Sequence, residues 1–182
     1  MQTRLSFAVG AAFLTGCALA MAGPVPESDR SRAVEMRVLP RLNRECAAAG
    51  LTVGAPVFIR IYKEPAELEL WLQQGDHFTL FRRYPIRRFS GTLGPKIKEG
   101  DGQAPEGCYF VTPARMNPNS RFHLSFDLGY PNQFDRRNGR TGSALMVHGS
   151  DVSIGCYAMG DAAIEEIWTR KNGCPPRRAR RQ

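Results

Sequence analysis

An α+β domain, predominantly β with a helix at each end, is the fold class the sequence predicts. Eighteen glycines and thirteen prolines among 182 residues argue against a helical bundle and for many turns. Short runs that alternate apolar and polar residues, such as VFIRIY over 57–62, read as half-buried strands. Apolar residues at helical spacing are confined to two stretches near the ends of the chain. A composition of 42% hydrophobic and 23% charged residues is ordinary for a folded domain and excludes a largely disordered chain. No internal repeat is visible, which excludes solenoids and propellers.

The elements follow in order. Residues 23–31 form a Pro- and Ser-containing linker. Val34, Val38, Leu39, Leu42 and Cys46 give residues 31–49 a helical period, with Pro40 expected to kink or split the helix. Residues 57–62, 68–72 and 78–84 read as strands, the last two joined by a turn at Gly75-Asp76. Residues 86–104 are too polar and glycine-rich for a core element and read as a loop. Residues 108–111, 122–126 and 144–147 read as further short strands, with a long loop rich in Gly, Asn and Arg over 127–143. Asp161 is placed to cap a helix over 162–170, with Glu165 and Glu166 early and Arg170-Lys171 late, as the helix dipole favours. Gly173 and Pro175-Pro176 stop it.

Twenty-five basic against seventeen acidic residues give a net charge of +8. Arg4 and the tail residues Arg177, Arg178, Arg180 and Arg181 carry five of these charges, leaving about +3 on the body. That excess, without zinc-finger spacing or an RRM-like aromatic signature, does not point to nucleic acid. Arg4 followed by the apolar stretch LSFAVGAAFL over 5–14 has the form of an export signal. Leu14-Thr15-Gly16-Cys17 resembles a lipobox, which would lipidate Cys17 and anchor the protein in a membrane; Ala18-Leu19-Ala20 and Ala20-Met21-Ala22 resemble ordinary cleavage sites. Both routes export the chain to the periplasm or cell envelope. Gly and Pro content and the early cleavage sites disfavour a transmembrane anchor. Without Cys17, Cys46, Cys108, Cys156 and Cys174 remain, and their parity does not separate two disulfides from a catalytic thiol. No metal-ligand spacing occurs among the three histidines, so no metal is expected.

Chemistry concentrates in LMVHGSDVSIGCYAMGD over 145–161. An apolar strand delivers His148 into Gly149-Ser150, and eight residues on Cys156 follows Gly155 just before a helix. An imidazole or the amides preceding a helix stabilise a thiolate, and flanking glycines let a substrate backbone approach. Such a pair suits acyl transfer through a thioester, with the N–H of Cys156 and that of Gly155 as candidate oxyanion donors. Taken singly, Cys156 also reads as a buried or disulfide-bonded cysteine and His148 as a strand-end histidine. His77 and His123 lack such a partner and read as structural.

This stretch, a His-Gly followed by Ser-x-Gly-Cys, resembles the active-site motif of the L,D-transpeptidase (YkuD-like) catalytic domain. The segments FSGTLGPK (89–96), APEGCYFV (104–111), MNPNSRFHLSFDLGYPNQFDR (116–136) and GRTGSALMVHG (139–149) resemble the YafK-type branch. The resemblance covers about residues 58–168. It implies a β-sandwich with an N-terminal helix and a short helix after Cys156. It implies that Cys156 attacks a meso-diaminopimelate carbonyl of a peptidoglycan stem peptide and that His148 serves as base and acid. Gly155 would line the oxyanion site, Ser153 would shape the motif turn, and no cofactor is required. Ile154 stands where the commoner motif has a second His, and Tyr157-Ala158 follow where it has Arg or Asn, so carboxylate recognition must come from elsewhere. Arg121, Arg136, Arg137 and Arg140 lie in or beside the long loop before the motif, and Tyr130 is a further candidate for the oxyanion. Arg140 and Tyr130 are the substrate-binding expectations.

The YafK-type branch is associated with releasing wall-bound lipoprotein, which favours hydrolysis. Cross-linking or protein attachment by transpeptidation is the alternative, and a non-catalytic wall-binding module with Cys156 in a disulfide is the alternative of another class. The expected organisation is a signal peptide over 1–22, linker and helix over 23–50, catalytic domain over 51–171 and basic tail over 172–182.

Overall fold

The computed structural model describes residues 24–170, so the leader with Cys17 and the tail with Cys174 lie outside the described residues. Helix α1 (Asp29–Ala48) opens the domain, capped by reciprocal hydrogen bonds between Ser28 and Ser31. It buries Ser31, Val34, Val38, Leu42 and Cys46, the stripe its spacing predicts. Pro40 does not split it into two elements. The hydrogen bond that Pro40 cannot make belongs to the carbonyl of Met36, a residue 74% exposed, where water can replace the missing partner.

Three strands follow as an antiparallel meander: β1 (Val57–Tyr62), β2 (Glu67–Gln74) and β3 (His77–Pro85), in the order β1-β2-β3. The second sheet contains β4 (Arg88–Phe89), β5 (Met116–Asn117), β6 (Ser125–Asp127), β7 (Met146–His148) and β8 (Tyr157–Ala158), in the order β4-β8-β7-β6-β5. Its β7–β8 pair is parallel, and the other pairs are antiparallel. A five-residue helix α2 (Gln133–Arg137) sits in the long loop, and α3 (Asp161–Arg170) closes the described chain. One apolar cluster joins Val34, Val38 and Leu42 of α1, Leu68 and Leu70 of β2, Phe126, Val147 and Tyr157 of the second sheet, and Ile164 and Trp168 of α3. The observed class is α+β, as the sequence predicts.

The short elements depart from expectation for local reasons. Residues 108–111 form no strand; the Cys108 carbonyl accepts from Asn132 Nδ2 at 2.9 Å instead of entering a ladder, and Phe110 is exposed. The strand expected over 122–126 begins only at Ser125, because His123 takes φ +69°. Ala144, at φ +53°, likewise delays β7 to Met146. The loop expected over 86–104 contributes β4, and the loop over 127–143 contains α2, which is capped reciprocally by Asn132 and Asp135. Beyond β4 the chain folds back on buried Lys63, whose ammonium donates to the carbonyls of Thr92 and Gly94 at 2.9 and 2.7 Å. This places the loop beside β8, where the Tyr157 hydroxyl donates to Pro105 O at 2.7 Å.

Candidate active site

The register Val147↔Tyr157 and His148↔Ala158 makes β7 and β8 parallel neighbours, with His148 ending one and Cys156 immediately preceding the other. Both motif residues therefore come from adjacent strand ends in the middle of the five-stranded sheet. The two ends of the intervening turn are held by hydrogen bonds. Gly149 N–H donates to Leu124 O at 3.1 Å, Met159 N–H to His148 O at 2.8 Å and Gly160 N–H to Ser150 O at 2.8 Å. Ser150 N–H donates to Asp161 Oδ1 at 2.7 Å. A Cβ at position 149 would lie 2.6 Å from Asp161 Oδ1 and 2.8 Å from Phe122 O, so a side chain does not fit there. Gly155 is required differently, by φ +93° and by Leu145 Cδ2 at 3.3 Å from where its Cβ would be.

His148 is 1% exposed and its Nδ1 donates to the Gly149 carbonyl. A carbonyl only accepts, so Nδ1 carries the proton and Nε2 is left with its lone pair, the tautomer a general base needs. The Phe122 ring packs on the imidazole with 4.7 Å between centroids. Burial pushes the imidazole pKa below its ordinary value, and the Gly149 contact opposes this without overcoming it.

The Cys156 sulfur accepts from Met146 N–H at 3.4 Å and its thiol contacts Ala144 O at 3.7 Å. Burial pushes the thiol pKa up, against the Met146 N–H, with Asp127 adding to the rise. Both shifts favour the uncharged forms, thiol and imidazole, and among the described residues no hydrogen bond joins the two side chains. Among the described residues, Cys46, Cys108 and Cys156 are free thiols.

The Cys156 N–H does not face an open site. It donates to Ser153 Oγ at 3.0 Å, while Ser153 Oγ donates to Cys156 O at 2.7 Å. Ser153 therefore clamps both main-chain polar groups of the cysteine. Tyr130 is buried and donates its proton to Lys96 O at 3.0 Å, packing against Tyr109 in the long loop. Arg140 pairs with Asp135 at 2.9 Å and lies over the Phe134 ring. Arg136 donates to Pro131 O, whereas Arg121 and Arg137 are exposed. Neither Tyr130 nor Arg140 hydrogen-bonds to Cys156 or His148. Phe122 and Asp161 touch the turn between His148 and Cys156 but were not singled out for it from the sequence. Asp161 read as a helix cap; its carboxylate instead reaches the Ser150 N–H.

No family model matches the chain. Over 116 residues it is 44% identical to the curated protein named "Putative L,D-transpeptidase YafK" of Escherichia coli K12, an alignment covering 64% of this chain and 47% of that protein. The protein of the same name from Escherichia coli O157:H7 matches with the same figures. The chain spans about half the length of the curated relatives it matches. Among solved structures, the helical cell shape determining protein Pgp2 of Campylobacter jejuni aligns with a TM-score of 0.51 at 21% identity, covering 69% of this chain and 49% of that one. Bd1075 of Bdellovibrio bacteriovorus aligns with a TM-score of 0.50 at 26% identity, covering 64% and 44%. At 21% identity the Campylobacter comparison speaks to the fold alone.

Proposed function

We propose that the matched segment is an L,D-transpeptidase-type (YkuD-like) domain of the YafK branch and that Cys156 is the nucleophile of an exported enzyme acting on peptidoglycan stem peptides. The carrying observation is the His148 tautomer: Gly149 O holds Nδ1–H and leaves Nε2 with a lone pair, the nitrogen this reading assigns to taking the thiol proton. The sulfur then attacks a meso-diaminopimelate carbonyl, and the imidazolium returns its proton to the leaving amine as the C–N bond breaks. Water attacks the thioester in turn, releasing the stem and regenerating the thiol. Gly155 shapes the oxyanion side of the turn, and Ser153 fixes the main chain of the nucleophile. The bond proposed for hydrolysis is the one joining the stem to wall-attached lipoprotein. The leader delivers the chain to the envelope, either free after cleavage at one of the Ala-x-Ala sites or anchored through a lipidated Cys17.

The same acyl-enzyme passes its acyl group to an amine in a transpeptidase. Of the two disulfides that would mark a wall-binding module, Cys156–Cys108 does not form, which supports either enzyme, and Cys156–Cys174 lies outside the described residues. The deciding experiment incubates leaderless protein, and a Cys156→Ala control, with sacculi carrying bound lipoprotein and free tetrapeptide stems. Mass spectrometry showing loss of the lipoprotein remnant supports the hydrolase. New diaminopimelate–diaminopimelate cross-links make it a transpeptidase, and no change in either returns the binding module.

A further inference from the structure

The β4–β8 ladder pairs Phe89 with Tyr157, so the next position outward sets Ser90 opposite Cys156. Ser90 lies 3.3 Å, Oγ to Oγ, from Ser153. The single proton of Ser153 goes to Cys156 O at 2.7 Å, and its oxygen accepts the Cys156 N–H at 3.0 Å. In the Ser90–Ser153 contact Ser153 is therefore the acceptor and Ser90 the donor. Ser90 itself is fixed by Ala104 N–H, which donates to Ser90 O at 2.9 Å.

We propose that Ser90 is a positioning residue for the nucleophile, acting through the Ser153 hydroxyl. This rests on the reading of Cys156 as the residue that is acylated. Ser153 orients the peptide units on both sides of Cys156, and Ser90 ties that hydroxyl to β4, a strand outside the His-Gly…Ser-x-Gly-Cys segment. When an oxyanion forms, its charge makes it a better acceptor for the Cys156 N–H than a neutral hydroxyl. Ser153 then remains held by Ser90 and by the Cys156 carbonyl, so the donor turns to the oxyanion without the turn drifting.

Two reactions of one thiol separate this role from a general one. With p-nitrophenyl acetate, Sγ bonds to the acetyl carbon, the ester C–O bond breaks, p-nitrophenolate leaves and the thiol proton passes by way of His148 to water; a carbonyl oxyanion forms on the way. With iodoacetamide, Sγ displaces iodide directly and no oxyanion forms. Peptide mapping reports each product at Cys156 apart from Cys46, Cys108 and Cys174. Ser90→Ala is expected to slow acetylation about fivefold, the worth of one ordinary hydrogen bond, while leaving alkylation unchanged. Ser90→Thr, which keeps the hydroxyl, restores the rate, and melting curves report that all variants are folded. Equal loss in both reactions, loss in neither, or a Thr variant as slow as Ala overturns the role of Ser90 alone. A wild-type Cys156 that alkylates but never acetylates overturns the nucleophile reading, and this inference with it.

Discussion

Gly149→Ala is a one-carbon test of how the turn between His148 and Cys156 is built. The added methyl would lie 2.6 Å from Asp161 Oδ1, 2.8 Å from Phe122 O and 3.0 Å from His123 Cβ. Two of these neighbours are backbone or carboxylate oxygens engaged in the site, and Asp161 Oδ1 already receives the Ser150 N–H at 2.7 Å. Relieving the contact moves Asp161 off Ser150 and shifts the carbonyl of Gly149 that holds His148 Nδ1. Overpacking costs about 1–3 kcal/mol, and a charge-assisted hydrogen bond about 1.5–3. A combined loss of about 3 kcal/mol lowers the melting temperature by about 9 °C in a domain of this size. Activity falls further than stability, because the imidazole loses its orientation. Asp161→Ala breaks the same Ser150 bond, so the double variant is less than additive. Thermal melts and acylation rates of the four proteins form the assay. A Gly149→Ala protein with wild-type melting temperature and rate would refute the geometry of the turn.

The buried imidazole also makes a pH prediction. The folded His148 has a pKa below its ordinary 6.5, so on acidification the unfolded chain takes up that proton first. Its contribution is intact above pH 6.5 and is lost as pH falls toward the folded value; denaturation midpoints at pH 7.5 and 5.5 should therefore differ by less in His148→Gln than in the wild type. Glu166 joins the helices to the first sheet, accepting from Arg41, Arg82 and Tyr84. Burial alone would raise its pKa, but the Arg41 and Tyr84 hydrogen bonds and Arg82 outweigh it and hold the carboxyl below 4.5. Its contribution is present above pH 4.5 and lost on acidification. Glu166→Gln should cost about 3 kcal/mol at neutral pH and flatten the acid limb of the stability curve, read by chemical denaturation across pH. His148→Ala should lose nearly as much turnover as Cys156→Ala while remaining folded, because nucleophile and base act as a unit.

Periodicity carried the long elements: Val34, Val38, Leu42 and Cys46 specify the buried face of α1 whatever Pro40 does, since the proline falls on the exposed side. It did not carry the second sheet, whose strands of two or three residues are bounded by backbone conformations no pattern signals, His123 and Ala144 at positive φ among them. β4 was hidden because two residues have no period; β8, its pairing partner, defines it. At the site, the glycines beside His148 and Cys156 were legible because a turn without room for Cβ demands them. Ser90 was not, because it reaches Ser153 through a strand pairing 63 residues apart in sequence. Asp161 read as a local cap, and only the tertiary fold turns its carboxylate to Ser150. The candidate roles of Tyr130 and Arg140 rested on charge and loop position; the fold engages them with Lys96 and Asp135.

The central claim is an acyl group carried on one sulfur. Leaderless protein incubated with a tetrapeptide stem, quenched in acid and peptide-mapped by mass spectrometry, tests it. The account predicts a stem-derived acyl adduct on Cys156, absent from the Cys156→Ala and His148→Ala proteins. Turnover persisting in Cys156→Ala, or an adduct confined to Cys108, would contradict it.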